Sequence, residues 1–431
     1  MSTQYDVTMR MIPFLDRHLI YPLLSFLELN EVYNVDDLLK AQYELVADTN
    51  MVDFIIESYK KINKTDQVPK ELNEKREKVL AQLEDMQVKA QKVMSVLEQP
   101  EVVAALRQDN GQNLEDLKKS YNITEEMIDV LYEFGQLQYS CGRYGGAADM
   151  LYHFRVLSND HGRCLSASWG KMAAEILEGN WDAALEEIQY LREIIDQKNF
   201  TAPLQQLQQR TWLIHWSLFV FFNHPKGRDG IVDLFFAPAY LNTIQTTCPW
   251  ILRYLATAVV VNRRRKTQMK ELVKIIEQEG YEYRDPVTEF IEALFIKFDF
   301  EDAQKKLKEC EYVLSHDFFL AATEEDFMEN ARQFISETYC RIHQKINIKE
   351  MCQTLNLDQE EGEKWIVNLI RDTRVDAKID FEENTVVMNT PVTSVYQQVI
   401  ERTKGLSFRS QVLASAIKRR EQAAQQDVSA Q

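Results

Sequence analysis

The chain has 431 residues, a formal net charge of −17 and 45% hydrophobic residues, with only 13 Gly and 10 Pro. That apolar share can bury a large core and excludes wholesale disorder. The acidic balance excludes the body as a general binder of nucleic acid, because phosphates are repelled at long range.

Cys141, Cys164, Cys248, Cys310, Cys340 and Cys352 stand far apart with no C-x-x-C spacing, and read as single buried thiols of a reducing compartment. The first residues carry no basic segment followed by an apolar one, so a secretory leader is not expected. The most apolar stretches, Trp212 to Phe222 and Ile251 to Val261, are too short to span a bilayer and contain His215 or Arg253. An intracellular, cytoplasmic protein without membrane contact is the expectation.

Apolar residues keep helical spacing nearly throughout. Leu15, Leu19, Leu23, Phe26 and Leu27 form one face of a first helix, with a kink expected at Pro22. Val79, Leu83, Met86, Ala90, Val93 and Leu97 then recur at steps of four and three. That seam fits an antiparallel hairpin within the chain better than a partner-binding coiled coil, since only three heptads are present. Asp109 to Asn113 reads as an internal linker.

Beyond the linker a pattern recurs: an aromatic, Ala three residues on, an aliphatic four further. It occurs as Tyr144/Ala147/Leu151, Trp181/Ala184/Ile188 and Phe300/Ala303/Leu307, with Gly142 and Gly179 two positions ahead of the first two aromatics. This is the chemistry of stacked helical hairpins: Gly permits the turn, the aromatic fills the gap, and Ala lets helices approach. The expected fold is mostly α, an irregular tetratricopeptide-like array of helical repeats.

Between Phe327 and Asn389 the periodicity changes. Phe327, Ala331, Phe334, Ile335, Thr338 and Ile342 share a helical face. Capping boxes follow at Asn347-Ile348-Lys349-Glu350 and Asp358-Gln359-Glu360-Glu361. Val375 to Phe381 then alternates apolar and charged residues, and after a turn at Glu382-Glu383-Asn384 comes a second short strand, Thr385 to Asn389. Three helices and a hairpin predict a winged helix. The start of its second capped helix carries Asp358, Glu360, Glu361 and Glu363, which would face phosphates with negative charge, so protein docking through the hairpin edge is favoured over DNA reading.

After Pro391, Tyr396, Val399, Leu406, Leu413 and Ile417 predict a C-terminal amphipathic helix from about Val392 to Arg420 that packs against partner helices, with a frayed Gln/Ala-rich end. Arg402, Lys404, Arg409 and Lys418 to Arg420 make it basic. Arg263, Arg264, Arg265 and Lys266 form a second basic stretch, read as an exposed loop or an RNA contact.

Catalysis is not expected. Phosphate-binding, dinucleotide-binding, zinc-protease and nucleophile-elbow motifs are absent, and Ser168-Trp169-Gly170-Lys171 matches S-x-x-K without its companion motifs. His215, between Trp212 and Trp216, reads as a hydrogen-bonded core histidine, His153 lies within a repeat helix, and neither has a second ligand at i+3 or i+4. Neither metal nor cofactor is expected.

Helical repeats followed by a winged helix and a C-terminal helix resemble the PCI domain family, found in the proteasome lid, the COP9 signalosome and translation initiation factor 3. The blocks Gln208 to Asp229, Phe14 to Leu19, Asp48 to Phe54, Glu363 to Arg371 and Leu406 to Ser410 are similar to the initiation-factor branch. The resemblance implies a non-catalytic scaffold subunit that docks laterally through its winged-helix edge and bundles its C-terminal helix with sister subunits. The edge would comprise Val375, Asp376, Ala377, Lys378, Ile379, Thr385, Val386, Val387 and Met388. The implied complex binds the small ribosomal subunit and promotes recruitment of initiator tRNA and mRNA. Expected divisions are residues 1–108, helical; 114–340, repeats, with the PCI helical part from about 215; 341–390, winged helix; and 391–431, helix and tail. Two other readings stay open: a scaffold of the proteasome lid or signalosome, and an RNA-binding protein using the basic stretches.

Overall fold

The computed structural model describes residues 5–65, 67–97, 124–197, 202–262, 266–343, 345–347, 349, 377–380, 385–388 and 394–429. Among them are eighteen α-helices and three short strands, divided between one unit ending at Ile335 and another beginning at Ser336.

The repeats form because small residues sit where backbones must meet. Each recurring aromatic is the first residue of its helix: Tyr144–Leu157, Trp181–Gln197 and Phe300–Ser315. Ala147, Ala184 and Ala303 are fully buried, and Leu151, Ile188 and Leu307 nearly so. Gly142 and Gly179 have φ of 80° and 83°, the left-handed conformation that closes the preceding helix. At Gly179 the closure pairs its N–H with the Ile176 carbonyl, and the Asn180 N–H with the Glu175 carbonyl. In the third copy Phe298 holds the same position at φ 56°. Its helix is closed by a π turn, Ala293–Lys297, instead of by a glycine, which is why the pattern is weaker there.

The seam of the helix Lys70–Leu97 is satisfied within the chain. Val79, Leu83, Ala90 and Val93 join Ile128, Leu131, Phe134, Leu151 and Phe154 in one apolar cluster. The expected linker at Asp109 to Asn113 lies outside the described residues.

The helix expected around Leu19 and Leu23 spans Arg17–Leu29, after a short helix Thr8–Met11, and runs through Pro22 without interruption. Leu15 is not part of it. Asp16 caps the helix by accepting from the His18 N–H at 3.1 Å, which leaves Leu15 in extended backbone before the cap. This N-terminal segment is threaded into later helices. Asp16 also accepts from the Tyr139 hydroxyl at 2.6 Å, and the Trp216 indole N–H donates to the Phe14 carbonyl at 2.9 Å.

Its deepest anchor is Arg253, 2% exposed on the helix Leu252–Val261. The guanidinium Nε donates to Asp285 at 2.7 Å, Nη1 to Asp317 at 3.2 Å and Nη2 to the Tyr5 carbonyl at 2.7 Å. The Tyr254 hydroxyl and the Phe319 N–H also donate to Asp317. Asp285 in turn caps the helix Pro286–Glu292 through a capping box with Thr288. One cation thus joins three stretches of chain, and every named partner has its hydrogen bond.

In the second unit, β1 (Lys345–Asn347), β2 (Ala377–Asp380) and β3 (Thr385–Met388) form an antiparallel sheet in the order β1-β3-β2. The hairpin expected between Val375 and Asn389 is β2–β3. β3 begins at Thr385 as expected, and the further residues of the expected strands, Val375, Asp376, Phe381 and Asn389, lie outside the described residues. Sequence periodicity does not reveal β1, because three residues are too few to show alternation. Asn347 ends that strand and accepts from the Lys349 N–H, as a helix cap would. The second capped helix, Asp358 onward, also lies outside the described residues. The C-terminal helix runs from Val395 to Ser429, past the end expected near Arg420.

Replacing Gly179 with Ala forces an L side chain into left-handed backbone and should cost about 1–2 kcal/mol. Ala184→Leu overpacks a fully buried contact and should cost roughly 1–3 kcal/mol. Both are read as lowered thermal midpoints, with helical content retained by circular dichroism. Arg253→Met leaves two carboxylates buried without their cation; a loss of about 3–5 kcal/mol is expected. Limited proteolysis should then cut near the N-terminus, and unchanged resistance would contradict the anchoring role of Arg253.

Candidate partner-binding surfaces

The sheet offers its neighbours one face and two outer strands. Val387 lies opposite both Lys345 and Lys378, and all three are exposed. One residue along, Val386 lies opposite Ile346, and both are 1% exposed. The pleat therefore turns Ile346 and Val386 inward and a Lys-Val-Lys row outward.

This alters the expected docking edge. From Thr385 to Val387 β3 is paired on both sides, so Thr385, Val386 and Val387 cannot add a strand from another chain; Met388 pairs with Ala377 of β2. Thr385 and Val386 are also buried, which removes their side chains from any contact surface. Of the proposed residues, Ala377, Lys378 and Ile379 belong to an outer strand, and Val387 contributes through its exposed side chain. The strong β propensity of Thr385-Val386-Val387 signals a strand but not its place in a sheet, and the unseen β1 is what makes it central.

The C-terminal helix is the larger surface. Every residue from Ser394 to Arg420 is exposed. Tyr396, Val399, Leu406, Leu413 and Ile417, the residues expected to pack on partners, are 50–82% exposed. At about 100° per residue they fall within roughly 100° of arc, one continuous stripe. Ile400, Phe408 and Val412 are exposed as well and lie off that stripe. A heptad reading misses them because it follows a single face. Apolar residues on more than one face suit a helix contacted from several sides.

Of the basic stretch, Arg263, Arg264 and Arg265 lie outside the described residues, and Lys266 opens the helix Lys266–Glu279.

The residues considered for chemistry are engaged in structure. Ser168 is buried and donates to the Cys164 carbonyl, while the Lys171 ammonium sits 2.6 Å from Glu187, which also binds Arg155. Ser168 and Lys171 thus form no nucleophile–base pair. His215 stacks on Phe14, with ring centroids 4.7 Å apart. Its Nδ1 lies 2.7 Å from the Thr211 carbonyl, and its Nε2 accepts from the Trp250 indole N–H. Those partners require a neutral ring protonated on Nδ1, and burial lowers its pKa to about 4. Cys248, Cys310 and Cys340 are buried; Cys141 and Cys164 are half-buried, and Cys352 lies outside the described residues. Burial pushes the Cys248 and Cys340 thiols up to about 12, away from thiolate reactivity. Among the described residues no three His, Cys, Asp or Glu side chains gather where they could hold a metal ion, and no helix is long and apolar enough to cross a membrane.

Three known families match along the chain. Residues 307–390 match the PCI domain, residues 6–138 the eIF3 subunit 6 N terminal domain, and residues 394–414 the C-terminal model of the E subunit of eukaryotic translation initiation factor 3. The E subunit of this factor from Aspergillus fumigatus is 53% identical over 424 residues, covering 96% of this chain and 94% of that one. Its counterpart from Sclerotinia sclerotiorum is 54% identical over 423 residues, with 96% and 94% covered, and that from Emericella nidulans 53% over 420, with 96% and 93%.

A helical array ending in a small sheet and a matched PCI domain defines a PCI-domain protein. The chain belongs to the family of the E subunit of eukaryotic translation initiation factor 3. That assignment replaces the proteasome-lid and signalosome readings.

The histidine geometry fixes a pH response. His215 takes up a proton near pH 6.5 when unfolded but only near pH 4 when folded, so the unfolded state binds more protons between those values. Stability from this group is complete above about pH 6.5 and falls as the pH drops, by a total of order 3 kcal/mol. Thermal midpoints should decline between pH 6.5 and 5 in the wild type and change less in His215→Gln. Equal slopes in both proteins would refute the assignment.

Proposed function

We propose that this chain is a non-catalytic scaffold subunit of translation initiation factor 3, held in the complex chiefly by its C-terminal helix. The observation that carries the proposal is the exposed apolar stripe of that helix. A lone helix gains little stability in water, and an apolar face of this length needs cover. The β2 side of the sheet, with Lys378 and Val387, serves as a second, lateral contact. The assembled complex acts in the cytoplasm, binding the small ribosomal subunit and promoting recruitment of initiator tRNA and mRNA. The subunit's part is positional, and no chemical step is assigned to its residues.

Leu406→Asp with Leu413→Asp places two charges on the stripe without touching the core of either unit. Affinity purification of the tagged full chain should then recover other initiation-factor subunits at least about tenfold less, as expected when central interface anchors are lost. Undiminished recovery would overturn the proposal. Lys378→Glu should weaken recovery less. Val386→Asp is expected to destabilise the second unit itself, because that side chain is 1% exposed.

A further inference from the structure

The C-terminal helix opposes the rest of the chain in charge. Between Val395 and Arg420 it carries Arg402, Lys404, Arg409, Lys418, Arg419 and Arg420 against Glu401 alone, within a chain of net charge −17. None of these six cations forms an ion pair with a described residue. Three of them are ordered relative to the stripe. Val399, Leu406 and Leu413 repeat every seven residues, and Arg402 and Arg409 lie about 50° to one side of that line. Arg420 continues the line one heptad beyond Leu413, at the C-terminal end of the stripe. Along the axis, at 1.5 Å per residue, the three arginines are separated by about 10 Å and 16 Å.

We propose that these arginines select the helix that covers the stripe, and that the occupant is an acidic amphipathic helix of another polypeptide, with carboxylates flanking its own apolar seam. The proposal rests on the scaffold reading and adds the chemistry of the partner. Charges flanking an apolar seam set partner choice and orientation in paired helices, because like charges repel across the seam and opposite charges attract. A second copy of this chain is a poor occupant. Antiparallel, it would bring its own Arg402 and Arg409 against the same row. Parallel, it would offer that row Ser407 and Ala414, neither of which carries a charge. An RNA strand would satisfy the cations yet leave the apolar stripe uncovered. Only an acidic helix answers both features.

The test uses the full-length chain and two synthetic amphipathic helices of four heptads with the same leucine seam, one flanked by Glu and one by Lys. Fluorescence anisotropy at low salt should show the Glu probe binding at least about tenfold tighter than the Lys probe, a preference that weakens as salt rises. Arg402→Gln, Arg409→Gln and Arg420→Gln combined should abolish the preference while leaving residual binding through the stripe. Equal binding of the two probes, or a preference that survives the triple substitution, overturns the arginine selection. Tighter binding of a single-stranded RNA oligonucleotide than of the Glu probe, lost in the triple variant, overturns the choice of a helix. Loss of all probe binding in Leu406→Asp/Leu413→Asp is expected. If that variant keeps both the probe and its cellular partners, the scaffold reading itself fails. If it loses partners while the triple Gln variant keeps them at wild-type levels, only the charge selection fails.

Discussion

A buried guanidinium holds the first unit together. Arg253 reaches the N-terminal segment through the Tyr5 carbonyl, the start of the helix Pro286–Glu292 through Asp285, and the bend before Phe319 through Asp317. Burying a charge is costly unless its partners are all present, so the site works only when all three segments are in place. Around it Tyr254, Phe319, Phe222 and Phe219 meet edge to face or at a tilt, converting polar cross-links into a packed aromatic layer.

The repeats solve a different problem, how to bring helices close over a long distance without a sheet. Alanine at the contact and a left-handed residue at the closure do this twice with Gly142 and Gly179, and once with Phe298 and a π turn. Among the described residues of the second unit, Ile346 and Val386 face inward, and the long helix leaves its apolar side chains exposed.

Much of this was legible in the amino-acid order, and the gaps have physical causes. Period-3.6 spacing and the recurring Ala positions foretold helices whose first residues are Tyr144, Trp181 and Phe300. The core role of His215 followed from its tryptophan neighbours. What escaped was whatever depends on distant partners. Arg253 sits in an apolar run, and nothing nearby announces Asp285, Asp317 or Tyr5. β1 is too short to alternate visibly, so β3 looked like an edge when it is the middle strand. Phe408 and Val412 on the C-terminal helix lie off the heptad and only exposure reveals them. Of the surfaces, the helix stripe was readable because exposure there follows a local pattern, whereas strand order in the sheet does not.

The threading of residues 5–16 has a consequence for synthesis. The Tyr5 carbonyl meets its guanidinium partner 248 residues later in the chain. At elongation rates of about 5–20 residues per second, the leading segment emerges from the ribosome roughly 12–50 s before that partner has been made. For most of that interval Tyr5 and Phe14 lack their later partners, whereas Leu24 and Leu27 already have Val32 and Leu38 to pack on. The helix Arg17–Leu29 can therefore fold early against the adjacent helix Val35–Ala47, while the residues ahead of it wait for the tryptophan-rich middle to arrive.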